Sequence, residues 1–564
     1  MRSPIERPIS TDRPRARPAR LTRRALAGTL FAASAGLALT SSSGLGIPSA
    51  RRFADRRALS QAAGAAGERA WLQEPGIEGW FRFESAPAAG LVSPFRSLGS
   101  LQTMVVPSIA GGVWNRLVED AIRPEWFGAA NVRGGDDAPA LQAAIDALGQ
   151  RGNTLVLEGD YTISRRLDVR GKSGFRISGP GRISASSAMP VRSDYQCLMF
   201  DHCVDFEVAD IVLDGGSAVR KGPLTAAHAL EIRSCSKFAL RRIEVRNSVA
   251  DCLYMAATAD NARDSAKHSH DAAFEDCSFV NGRRQGVSII QGRKLQFSRC
   301  RFAETAGSAP QAGVDLESNS RDLEGAIQDI SFNDCVFEAN RGYGLLVASE
   351  KTPRRIVARR CTFHNNVAGA VSWNGRNGLL EDCLFDGFDG TRAPRGCIDV
   401  GANPSAGWLD IVRARPRGIR NQGAKSYFLY VHRAAAGQVR LLDTASAELG
   451  HVAHLRAANC TIEGGEFEAT EDMAVVLAGT DCSVRNATFR RFKGTVVGLA
   501  GDRATVANCR FLDPGAQPAG GAVRLLAGQG SAILSNAFRG AGRQDRTISL
   551  APKASATVRG NTFS

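Results

Sequence analysis

The chain has 564 residues, 43% hydrophobic but only 7% aromatic, with 59 glycines, a composition that can bury a large core but speaks for many turns rather than long helices. Its formal charge of +15 looks like a nucleic-acid-binding signature until it is located: residues 1–57 carry 12 Arg against 3 acids, leaving about +6 elsewhere. So small an excess predicts no nucleic-acid partner, and fits either a merely soluble surface or an acidic polymer such as a uronate glycan.

The basic stretch from Arg2 to Arg20 runs into Thr22-Arg23-Arg24-Ala25-Leu26-Ala27 and then an Ala/Gly/Leu-rich segment to about Leu39, which resembles a twin-arginine export signal. Its apolar run is short and rich in Gly and Ser, so no stable membrane insertion is expected once it is cleaved between Ala38 and Ala50. A periplasmic or secreted destination follows. Residues 1–50 are read as signal and linker, 51–129 as a small β module, and 130–564 as one repeating domain.

That domain opens with a helix. Asp136-Asp137-Ala138-Pro139 supplies acidic N-cap residues and an early proline, and Leu141, Ile145 and Leu148 follow on one face. The helix is expected to cap the first coil of a solenoid, whose bare end would expose apolar side chains and unpaired backbone. Strands at Thr154–Leu157, Tyr161–Ile163 and Leu167–Val169 start the stack.

Further along, an aromatic-x-x-Cys-x-Phe pattern recurs as Phe274/Cys277/Phe279, Phe297/Cys300/Phe302 and Phe332/Cys335/Phe337, with looser copies down to Val558/Asn561/Phe563. Its period of 22 to 35 residues fits one solenoid turn. Alternating runs such as Gly286-Val287-Ser288-Ile289 and Gly313-Val314-Asp315-Leu316-Glu317 mark strands between the copies. Asn247, Asn281, Asn340 and Asn366 fall at turns, where Asn tolerates left-handed backbone. From Gly387 to about Ala457 the signature fades into degenerate coils, with Tyr427–Val431 as one strand, and Cys460-Thr461-Ile462 resumes it. Most of the 13 cysteines sit inside the repeat, with no CxxC pair or zinc spacing, and read as small buried residues that stack reduced, coil upon coil.

Gly134-Gly135-Asp136-Asp137 through Leu141-Gln142-Ala143-Ala144-Ile145-Asp146, then Leu155-Val156-Leu157 and Tyr161, resembles the opening of the pectate-lyase superfamily of bacterial and phage β-helix proteins. Upstream, Gly79-Trp80-Phe81-Arg82-Phe83, Trp114-Asn115-Arg116 and Pro124-Glu125-Trp126-Phe127-Gly128-Ala129 are similar to the β module that precedes such domains. The resemblance covers about residues 70 to 564. It implies an all-β, right-handed, single-stranded parallel β-helix with an N-terminal capping helix, acting on a polysaccharide as a monomer or, as in phage tailspikes, a homotrimer. The scaffold hosts lyases, hydrolases, epimerases and non-catalytic fibres. Calcium would accompany pectate-lyase-like chemistry, but no Asp cluster stands out to hold it.

Asp-Pro-His epimerase and polygalacturonase motifs are absent, so the site is argued from geometry. If Val314 and Leu316 point inward, Asp315 and Glu317 share the outer face roughly 6.6 Å apart. Such a pair serves acid/base sugar chemistry, or is two solvated acids on an exposed strand. Registering Cys252, Gly286, Gly313, Gly344 and Gly369 places Tyr254, Ser288, Asp315, Leu346 and Val371 in one outward row, and Glu317 in a row with Ile290 and Trp373. Trp373 could then stack a sugar ring. Arg283 and Arg284 stand where a guanidinium could hold a uronate carboxylate. Long inserts, Ala257–Asp271 with Lys267, His268 and His270, and Ser318–Ala326, are expected to wall the groove. Two functions follow: an exported lyase or glycoside hydrolase acting on an acidic, possibly uronate-containing glycan, or a non-catalytic glycan-binding or structural protein of the envelope.

Overall fold

A computed structural model describes residues 50–564 apart from 86–103, 131–134, 221, 223–226, 320–321, 349–350, 392–394, 402–406, 420–425, 434, 436, 448, 469, 515–520 and 541–546. The twin-arginine segment, with Arg23 and Arg24, lies outside the described residues. Five strands between Arg51 and Arg116 form one sheet, in which Arg69–Leu72, Gly79–Glu84 and Val113–Arg116 pair antiparallel. A 3-10 turn at Pro124–Phe127 and a helix, α1 (Ala138–Ala147), follow. From Thr154 onward the chain is a right-handed parallel β-helix.

Each coil gives one strand to each of three faces. One face is a 16-strand parallel sheet, one a 15-strand parallel sheet, and the third is split into sheets of 10 and 6 strands. Inward positions repeat without interruption, because parallel pairing sets each residue above its counterpart at about 4.8 Å. On the third face Phe279, Phe302, Phe337, Phe363 and Phe385 stack with centroids 4.7–5.7 Å apart.

α1 buries Leu141, Ile145 and five alanines. Its acids act differently from ordinary N-caps. Asp137 accepts from the Thr162 N–H at 3.0 Å and Asp136 from the Ser164 N–H at 3.0 Å, which ties the start of the helix to the first coil.

Between the 16-strand face and the third face the chain turns on a single left-handed residue: Asp210, Arg242, Asp276, Arg299, Asp334, Arg360, Asp382 and Arg413 in successive coils, all at φ 50–60°. The alternation of sign is a consequence of stacking, since like charges in register would repel. Arg242 reaches Asp210 at 2.6 Å, Arg299 reaches Asp276 at 2.7 Å, Arg360 reaches Asp334 at 2.8 Å and Arg413 reaches Asp382 at 2.7 Å. Exposed as they are, these pairs add little to stability and serve mainly to avoid like-charge stacking.

Two expectations on the repeat are corrected. In two coils the left-handed residue is Ala339 and Asn365, one place before the expected asparagines. Asn340 and Asn366 instead point inward, bonded to each other at 2.8 Å and to the Phe302 and Phe337 carbonyls. Cys460 stacks in a different column from Cys383, because Thr461 pairs with Arg440 on the 16-strand face while Cys383 precedes a third-face strand. The segment from Gly387 to Ala457 is built of coils with Tyr427–Val431 as a strand, as the sequence predicts, and the third face breaks there between Arg415–Arg417 and Ala445–Ser446.

All 13 cysteines are buried and unpaired as disulfides. Cys300, Cys335, Cys361 and Cys383 donate to the carbonyls of Phe274, Phe297, Phe332 and Ala358 at 3.3–3.5 Å. A thiol there fills a small space at a sharp turn and satisfies a backbone acceptor. Thiol titration is expected to find almost no reactive group in the native protein and 13 after denaturation without reductant; a denatured count well below that would show oxidised pairs and defeat the stacking account.

Candidate functional site

On the 15-strand face the outward row reads Glu231, Tyr254, Ser288, Asp315, Leu346, Ser372 and Asp399, each paired with the next. Leu230, Ile232, Val287, Ile289, Val314 and Leu316 alternate with them and enter the core. Part of the row is covered: Glu231, Ser288 and Asp315 are only 1–2% exposed.

Asp315 and Glu317 share that face as expected. The Asp315 carboxylate accepts from Gln285 Nε2 at 2.6 Å, while its other oxygen finds no donor. Glu317 stands exposed two residues on. Burial, then the negative charges of Glu317 and Asp251, outweigh the nearby Arg284 and push the Asp315 carboxyl well above the usual carboxylate range. One carboxyl therefore holds its proton more tightly than an ordinary carboxylate, beside an exposed partner.

Asp251 is the second buried acid, fully enclosed. Burial works against its charge, but His228 and then Arg284 overcome it and hold the carboxyl at about 2. Arg284 grips both Asp251 oxygens, and His228 Nδ1 lies 3.3 Å from Oδ2. Arg284 is thus committed inside the protein and is not free to take a uronate carboxylate. Arg283, half-buried, holds the turn through its main chain, with its carbonyl accepting from Ser308 at 2.7 Å.

Tyr254 lies on the row, its ring stacked on His228 at 4.3 Å and 4°. Burial, then Glu231 and Asp251, push its phenol up to about 12. The insert after Tyr254 and the one after Glu317 wall an open cavity of about 760 Å³, which Glu231, Tyr254, Arg263, Gln291 and Asp322 help to line. Gln291 donates to Asp322 at 2.6 Å and accepts from the Ala257 N–H at 2.8 Å, which ties the two inserts together.

Three expected ligands fall elsewhere. Trp373 is 1% exposed and points inward, in register with Val347 and Val400; it fills interior space that Gly378 leaves open, where any Cβ would strike its ring. Val371 is likewise a core residue, above Leu345. The cause is a slip of one residue: the paired asparagines Asn340 and Asn366 set Gly344 opposite Ala370, so Gly369 is a false landmark. His268 is buried and bonds the Ala262 carbonyl at 3.0 Å, which closes the insert instead of facing the groove. Lys267 is exposed on that insert, 3.9 Å from Asp264.

Glu231, His228 and Asp251 were not anticipated. Glu231 had a signal, the Leu-Glu-Ile-Arg alternation at Leu230–Arg233, but it precedes the first clear copy of the repeat. Among the described residues no three His, Cys, Asp or Glu gather in a way that could hold a metal ion. A larger depression of about 940 Å³ crosses the 16-strand face past Asp205, Lys237, Asp271 and Lys294. None of its charged side chains is buried, so it has no group prepared for proton transfer.

Residues 225–389 match a family model described as a right handed beta helix region. No curated protein sequence matches the chain. Among solved structures it is similar to the A-module of the Azotobacter vinelandii mannuronan C-5 epimerase AlgE4, at 16% identity over 60% of this chain and 99% of that one, with a TM-score of 0.48. The surface adhesin PfbA of Streptococcus pneumoniae shares 11% identity over 70% and 92% of the two chains, with a TM-score of 0.44. The tailspike protein gp49 of Acinetobacter baumannii bacteriophage Fri1, a capsular polysaccharide depolymerase, shares 13% over 91% and 76%, with a TM-score of 0.41. Likeness at this level concerns the fold alone.

The Asp251 cluster generates a stability prediction. Asp251→Asn leaves the buried Arg284 without its counter-charge and is expected to cost about 3–5 kcal/mol in denaturant unfolding. Because the folded-state pKa is depressed to about 2, the stabilisation is present above the unfolded value of about 3.9 and is lost as pH falls through that window. A variant as stable as the parent at pH 7 would refute the pairing.

Proposed function

We propose that the chain is a polysaccharide-cleaving enzyme whose glycan lies along the 15-strand face, with Asp315 as proton donor and Glu317 as its partner carboxylate. The observation that carries this reading is the buried Asp315, its proton affinity raised, two residues from the exposed Glu317 on the row that also floors the walled cavity at Glu231 and Tyr254. Two carboxyls whose environments push their proton affinities apart are the acid and base of glycoside hydrolysis. Asp315 gives its proton to the glycosidic oxygen as the bond to the anomeric carbon breaks. Glu317 takes a proton from the water that adds to that carbon, and proton exchange with solvent resets the pair.

Elimination is the weaker reading. A lyase needs a base for the C5 proton, and Tyr254, pushed up to about 12, stays protonated at neutral pH. Arg284, which would have neutralised the uronate, is held by Asp251.

Export belongs to the same proposal. The twin-arginine route takes folded cargo, which suits a protein whose 13 thiols are reduced in the stacked core. Replacing Arg23 and Arg24 by lysine is expected to leave the protein in the cytoplasm. Unchanged delivery of that variant to the periplasm would remove the assignment.

For the chemistry, reducing-end release over a panel of polysaccharides is expected to show activity that falls on the order of 10²-fold or more in Asp315→Asn and Glu317→Gln, with folding intact. Activity should decline as pH rises through the raised pKa of Asp315, because the donor must be protonated. If both amide variants keep the rate of an active parent, the site is elsewhere; a parent that binds glycan without cleaving it has a non-catalytic face.

A further inference from the structure

We propose that the cavity floored by Glu231 is a sugar subsite that takes an uncharged, hydroxyl-presenting ring and turns away a uronate. The inference rests on the glycan reading above and adds the class of sugar. Glu231 is 1% exposed, its Oε1 bonded by Arg233, and its Oε2 has no donor although the residue lines the cavity. A buried carboxylate oxygen left in that state calls for a donor from whatever fills the space.

The other groups around the cavity narrow what that donor can be. Asp322 has both oxygens engaged, one by Gln291 and one by the Asn319 N–H, each at 2.6 Å. The Arg233 guanidinium is held by Glu231 and Arg284 by Asp251. A uronate carboxylate on the floor would set acceptor against acceptor beside Glu231. A sugar hydroxyl, in contrast, donates to Glu231 Oε2, and a neighbouring hydroxyl accepts from Tyr254, whose phenol keeps its proton. Arg263, exposed at the rim, is the only basic lining residue among those described without an intramolecular partner, and it lies at the mouth rather than the floor.

Placement ties the subsite to the acid pair without merging the two. Glu231, Tyr254, Ser288 and Asp315 occupy successive coils of one row, so about 14 Å separates the first from the last. A polymer along the row meets both, a ring bound over Glu231 lying to one side of the bond that reaches Asp315.

The test is binding of neutral hexasaccharides (cellohexaose, maltohexaose, mannohexaose) against galacturonate and guluronate hexamers, measured by calorimetry on the full chain. The parent is expected to bind at least one neutral oligomer more tightly than either uronate hexamer, and Glu231→Gln to weaken that binding about tenfold. Reducing-end release is measured on the same oligomers, so a parent that binds a neutral hexamer without cleaving it fails the acid pair and not the subsite. Thermal unfolding of Glu231→Gln checks its fold. Should it not fold, Tyr254→Phe, which removes one hydroxyl, is expected to lose several-fold on the same oligomer. Preference for a uronate hexamer, no binding to any neutral oligomer, or parent-like affinity in a folded Glu231→Gln would each overturn the proposal.

Discussion

Parallel pairing from coil to coil is the constraint from which the rest of this molecule follows. Each residue sits about 4.8 Å above one counterpart, so side chains interact chiefly with members of their own column, and each column must be stackable. Rings satisfy this by lying on rings, as from Phe279 to Phe385. Thiols satisfy it by bonding the carbonyl of the previous coil. Charges cannot repeat in register, and the left-handed turn from Asp210 to Arg413 therefore alternates acid and base over eight coils.

The groove shows what happens when a column breaks that discipline. Glu231 and Asp315 on the row, with Asp251 just before it, are three buried acids within four coils, an expensive arrangement unless each is answered. Asp251 is answered by Arg284 and His228, and stays ionised. Asp315 is hydrogen-bonded only by Gln285 and has two negative neighbours against one Arg284, so its proton affinity rises instead. Within the Arg284–Asp251 pair that stabilises the fold, Asp251 raises and Arg284 lowers the proton affinity of Asp315, behind burial and Glu317. Structural and chemical roles are divided between neighbouring coils of one sheet.

The fold was legible because its signal is repetition: Phe274/Cys277/Phe279 and its copies report a column each, and Tyr427–Val431 could be placed as a strand even where the copies fade. Registering by glycine was reliable only where the turn kept its length. Gly286 and Gly313 place Ser288 and Asp315 correctly, but Gly369 sits one residue before its apparent equivalent and turned Trp373 from core to surface. Buried asparagines are the better landmark, because Asn340 and Asn366 bond each other across coils while a glycine bonds nothing through a side chain. What the sequence could not show was engagement. Arg284 and His268 read as available ligands, yet one is spent on Asp251 and the other on the Ala262 carbonyl, facts that depend on which column faces which.

The two inserts separate specificity from chemistry. Both leave the 15-strand face at the end of strands that carry row residues, Tyr254 and Asp315, and both are held by their own bonds: Asp264 to the Ala266 N–H, His268 to Ala262, and Asp322 to Asn319 and Gln291. Strand residues cannot move without breaking coil-to-coil pairing, so the distance from Glu231 to Asp315 is fixed by the solenoid. The inserts take little part in that pairing and can change length or charge at small cost to the fold. On the proposed reading, the solenoid fixes Asp315 while Arg263 and Asp260, on the insert, line the cavity over Glu231 and can vary without disturbing it.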